Sequence, residues 1–207
     1  MRTSIIAVVA VGITMVPGLT AAASNTDPDW PCVQRKVPEL SVAQVWNGDA
    51  LPETAKDWNK DADVAQLVDE LAARRTPMDA AQKQLEAFAA TLPADQTDEK
   101  LAQVFQGLFE KLNREREQVI SGIARYAGKQ RQLAADLRKK ASDVDKLRRD
   151  ANADPTEMEK QSDQLKWETR VFEERVQSLS YVCEVPTIIE QRLYGLSKFI
   201  GQLMPKS

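Results

Sequence analysis

The sequence predicts an all-α protein: a long antiparallel helical hairpin, or coiled-coil finger, projecting from a small helical bundle base, with an irregular Trp-containing N-terminal segment wrapped on that base. Three observations predict it. Apolar residues recur at steps of 3 and 4 from Leu101 to Leu147 and again from Met158 to Leu203. Between the two runs lies Ala151-Asn152-Ala153-Asp154-Pro155, a turn with its own helix-start signal. Glycine and aromatic residues are scarce, and no β-branched run alternates with polar residues, which leaves strands without support.

The first residues read as an address. Arg2 is followed by an apolar run from Ile5 to Val16, a Pro17-Gly18 break and Ala21-Ala22-Ala23, the order of a secretory signal peptide spanning residues 1–23 with cleavage after Ala23. The run is shorter than the roughly 20 residues that a bilayer span needs. Export to the periplasm or beyond is therefore expected, with no stable membrane insertion after cleavage. Residues 24–207 are expected to form one domain. In that compartment the only two cysteines, Cys32 and Cys183, are expected to pair, in preference to two free thiols or an intermolecular link.

Residues 24–60 hold many breakers and three of the four tryptophans, Trp30, Trp46 and Trp58, so an irregular segment lying on a helical surface is expected. Within it, Ser41 and Gln44 have capping-box spacing and predict a short helix ending near Trp46-Asn47-Gly48. Residues 61–92 predict two base helices. Val64, Leu67, Val68 and Leu71 share one face of the first, from Asp61 to Arg75. Thr76 as cap, Pro77 at the first helical position and Asp79 at the third start the second, which Leu92-Pro93 ends. Asp95 or Thr97 is expected to cap the next helix.

The finger arms are predicted over 97–150 and 155–203. On the first, the seam is interrupted at Glu115-Arg116 by consecutive steps of 4, a stutter; on the second, the phase slips between Cys183 and Ile189. Folding at Asn152-Ala153 places Leu147 beside Met158, Leu133 beside Phe172, Tyr126 beside Leu179 and Arg116 level with Ile189. The two phase breaks then share one height, which supports the hairpin independently of either arm. The same mirror places Gly122 beside Cys183. Below the break, Phe105, Leu108 and Phe109 face Leu193, Leu196 and Phe199, a surface too wide for two helices, so the helices of 61–92 are expected to cover it. Pro186 predicts a kink rather than a clean break. Asp136 with Lys140 and Asp145 with Arg149 have the spacing of favourable i, i+4 pairs.

Chemistry is sparse. The chain contains no histidine, and there is no C-x-x-C, no Gly-rich phosphate loop and no G-x-S-x-G, which removes triad catalysis and leaves thiol catalysis unsupported. With 28 basic and 31 acidic residues interspersed, there is no nucleic-acid footprint. The basic clusters Arg138-Lys139-Lys140 and Lys146-Arg148-Arg149 are interrupted by acids and read as a solvated face. Asp57, Asn59, Asp61 and Asp63 resemble the start of a calcium loop, but Ala62 and Val68 stand where that loop needs glycine and glutamate, so acids at a helix start explain them better. No cofactor or metal is expected. The candidate partner contacts are Trp167, an outward tryptophan on a charged helix, and Asn152 at the turn. The expected function is that of an exported, non-enzymatic envelope spacer or adaptor meeting another protein through its finger. The alternatives are a periplasmic holdase-type chaperone and a small-ligand binder at the bundle base.

Overall fold

A computed structural model describes residues 27–204. The expected signal peptide lies outside them. Among the described residues every regular element is helical: α1 (Val42–Val45), a 3-10 helix (Glu53–Lys60), α2 (Ala62–Ala72), α3 (Met78–Thr91), α4 (Thr97–Arg149) and α5 (Pro155–Leu203). No described helix is long and apolar enough to cross a membrane.

The long arms fold back where expected. Asp154 accepts from the Thr156 amide and Pro155 takes the first turn of α5, satisfying one free donor and supplying none that needs a partner. The mirror register also holds. Arg116 is bonded to Glu190, next to the expected Ile189, Tyr126 and Leu179 share a cluster, and Lys140 reaches Glu168 across the hairpin. Helix α5 continues through Pro186 without a break.

Below Arg116 the arms are joined by α2 and α3. Helix α2 runs alongside α4 in the same direction, tied by Asp61 to Lys100, Asp69 to Lys111 and Arg74 to Glu115. Helix α3 returns along α5, with Met78 against Gly195. The result is a four-helix base around Leu71, Leu85, Leu101, Phe105, Leu108 and Leu196, all fully buried. Gly107 allows the closest approach: a Cβ there would lie 2.8 Å from the Trp58 ring and 2.8 Å from Val68 Cγ2. Arg192 fastens the α2–α3 connection by donating to the carbonyls of Leu71 and Thr76, both at 2.8 Å.

The N-terminal segment differs from the expected wrap in two ways. It begins on the finger rather than the base, and it descends the hairpin as a strap. Arg131 holds Pro28 and Asp29, the Cys32–Cys183 disulfide follows, Arg116 takes the carbonyls of Val37 and Pro38, Ser197 donates to Val45, and Gln103 donates to Thr54. It also ends in eight residues of 3-10 helix that carry Trp58 onto Gly107, where an irregular segment was expected.

Several local expectations are corrected. Helix α2 stops at Ala72, short of Arg75, because the connection to α3 takes extended geometry at Ala73. At α3 the cap position is Pro77, and the Thr76 hydroxyl turns back to the Glu70 carbonyl. At α4 the cap is Gln96, with the Thr97 hydroxyl donating to Pro93 instead of capping. Neither i, i+4 pair forms: Lys140 prefers Glu168 on the facing arm, and Asp145 pairs with Arg148 while Arg149 donates to the Asp145 carbonyl. A cross-hairpin carboxylate at the right height outcompetes one on the same exposed helix.

Candidate functional site

The finger has two sides, distinguished by seven-residue spacing along a two-stranded coil. On one side lies the strap. Trp30, 4% exposed, packs with Ile120, Ile123 and Leu179, and its indole N–H donates to the Gln34 carbonyl at 2.6 Å. Cys32 and Cys183 complete that cluster.

The other side carries the stripe Val119, Tyr126, Leu133 and Lys140 on α4 and the stripe Val182, Arg175 and Glu168 on α5. Beside the first runs Glu115, Gly122, Lys129, Asp136 and Asp143; beside the second, Gly195, Ile188, Tyr181, Glu174 and Trp167. Arg74 of the base binds Glu115 and Met78 of α3 covers Gly195, so α2 and α3 occupy this side of the hairpin up to that height. Above it, no described element packs on the groove.

Three clefts lie along this groove, the one nearest the turn small, about 240 Å³, and mostly polar, with Lys140, Asp143, Lys160 and Gln161 in its lining. Of the other two, the lower, about 340 Å³, is lined by Val119, Gly122, Ile123, Tyr126, Ser178, Leu179 and Val182; it is almost wholly apolar through its valines, Ile123 and Leu179, and Gly122 leaves it open. The upper, about 600 Å³, brings Leu133 and Val171 together with Trp167, Asp136, Lys140, Glu168 and Arg175. Trp167 is 66% exposed, the largest apolar side chain so placed among the described residues, and it stands at the edge of this cleft. Lys140 binds both oxygens of Glu168; that hydrogen bond, with a second from Gln164, holds the Glu168 carboxyl below its ordinary range.

The structure therefore brings Trp167 into a groove but does not bring Asn152 to it. Asn152 sits exposed at the turn, its amide donating to Asp150, on the order of 20 Å further along the finger. The steps of 3 and 4 along the sequence do not show the apolar cleft, because they place Val119, Tyr126 and Leu133 in one seam with the residues between them. Their common seven-residue step to one side of the more buried Ile123, Gln130 and Leu137 is the signal that identifies a groove.

Elsewhere the tryptophans do not converge. Trp46 stacks on Phe105 at 4.4 Å and donates to the Asp49 carbonyl, Trp58 donates to Glu110, and Trp30 lies on the finger. A cleft of about 870 Å³ at the foot of the base is walled by Trp46 and Met204 and rimmed by Asp49, Asp95, Asp98 and Glu99. In the calcium-like run, Asp57 pairs with Lys60, while Asp61 caps α2 and binds Lys100; its carboxyl is held below the ordinary range first by Lys100 and then by the Val64 amide.

Comparison with family models, curated proteins and solved structures returns no match.

Proposed function

We propose that this chain is an exported, non-enzymatic cell-envelope protein that acts as a spacer or adaptor through protein–protein contacts of its finger. The observation that carries the proposal is the asymmetry of the finger. One side is covered by the strap up to the level of Arg131, whereas the other presents an apolar cleft at that same height and, above it, an exposed tryptophan in a groove that the base helices stop short of filling. Exposed aromatic anchors beside apolar recesses, rimmed by charge, are the anatomy of contact sites. Export is supported by the N-terminal run and by the disulfide, which persists in oxidising compartments. Both thiols are consumed in that bridge and the chain has no histidine, which supports a role without catalysis.

Deleting residues 136–168 and rejoining the arms with a short turn tests the role. The shortened protein is expected to keep its base and its disulfide but to lose biological activity in the envelope. Full activity after the deletion would remove the finger from the function. Photo-crosslinking from Asn152 asks separately whether the turn itself meets a partner.

A further inference from the structure

We infer that the partner of the groove is a second copy of this chain, laid antiparallel so that two fingers complete a four-helix section. The inference rests on the reading of the finger as a contact element. It follows from how the groove is bounded. At its lower end the α2–α3 connection, fixed by Arg74 to Glu115 and by Arg192 to Thr76, forms a shelf on the groove side. Two copies placed parallel, groove to groove, would drive these shelves into each other. Antiparallel copies avoid the collision, because each tip reaches the other's shelf and stops.

That limit fixes the register. From the shelf near Arg116 to the turn at Asn152 is about 36 residues of helix, roughly 50 Å. The two-fold axis must cross the middle of this length, at the level of Leu133 and Val171. Residues on such an axis meet their own copies, so like charges there would repel, and the two groove residues at this level, Leu133 and Val171, are apolar. Away from the axis two pairs of opposite charge come together. Glu168 comes opposite Arg175 of the second copy and Asp143 opposite Arg125 of the second copy, each twice by symmetry, while Asp136 and Lys139 both come within a turn of Lys129 of the second copy and offset each other. Trp167 then lies against Arg175 of the second copy, a favourable cation–π placement. The last turns of each finger cover the other's apolar cleft. A strip roughly 50 Å long and about 15 Å wide buries on the order of 750 Å² per copy, the size of a standard stable interface. The product is a rod with a base at each end, a form suited to a spacer.

The test uses the full mature chain with its disulfide intact. Sedimentation equilibrium is expected to show a dimer, weakened about tenfold or more by Arg175→Glu and recovered when Glu168→Arg is added. Nitroxide labels on Val171→Cys are expected within about 20 Å of each other across the dimer, and labels on Asn152→Cys roughly 50 Å apart. A monomer at high micromolar concentration, a dimer with neighbouring Asn152 labels, or distant Val171 labels would each overturn it. The label distances depend on no charge reversal, so they decide the matter even if Arg175→Glu disturbs the fold. If the chain stays monomeric while a crosslinker at Trp167 traps a different protein, self-pairing is wrong and the contact role stands; if neither is seen, both fail.

Discussion

Arg116 explains why the coiled-coil pattern breaks where it does. It is 1% exposed, in a seam that elsewhere wants apolar residues, and it spends its donors on Glu190 and on the carbonyls of Val37 and Pro38. The stutter in the sequence is thus the place where strap, finger and base meet. Arg116→Met keeps the length but leaves two carbonyls short of a donor, and is expected to lower stability by about 2–3 kcal/mol in denaturant titration. An unchanged midpoint would show that water replaces the guanidinium at no cost. Asp61 gives a pH signature. Its folded carboxyl titrates below the ordinary value of 3.8, so its contribution is present above that value and is lost as pH falls through the lower folded one. Asp61→Asn is therefore expected to lower the melting temperature near neutrality, with the gap to wild type closing as the pH drops below 3.8. A gap independent of pH would assign the effect to packing.

At the scale of elements, the long arms were legible because a seam repeated over many turns leaves few alternatives, and because the turn carries its own cap and proline. The break at Arg116 and the slip before Ile189 located the division between finger and base for the same reason. What was not legible depends on distant partners. The 3-10 helix at Glu53–Lys60 exists because Trp58 must reach Gly107, some fifty residues on, and no local signal specifies it. Lys140 could be assigned to Asp136 by spacing alone, and only the facing Glu168 reverses that choice. The strap's path was equally hidden: its cysteine named the bridge, but Trp30 and Arg131 set how far up the finger it starts. The bridge closes a loop of 151 residues, for which chain entropy predicts about 5 kcal/mol. Cys32→Ala with Cys183→Ala is expected to lose much of that and to speed proteolysis within residues 27–38. Equal cleavage in both proteins would mean that Trp30 and Arg131 hold the strap unaided.

At the scale of the whole molecule, the fold separates fastening from contact. Above the base, the contacts that fasten the N-terminal strap lie on one side, the disulfide, Trp30 and the Arg131 pair, while the groove side carries bonds between the two arms, Lys140 to Glu168 and the Tyr126 hydroxyl to the Arg175 carbonyl. The groove side keeps an apolar recess and its tryptophan available. The proposed spacer role would use that division, since a finger held from behind up to Arg131 presents its other side without reorganising. The most direct test is photo-crosslinking in the native envelope from two positions on opposite sides of α5, Trp167 in the groove and Val176 on the strap side, 66% and 47% exposed. A protein adduct, whether to a second copy or to another chain, is expected from position 167 and not from 176. No adduct from 167, or the same adducts from both, would contradict the assignment of the groove as the contact surface.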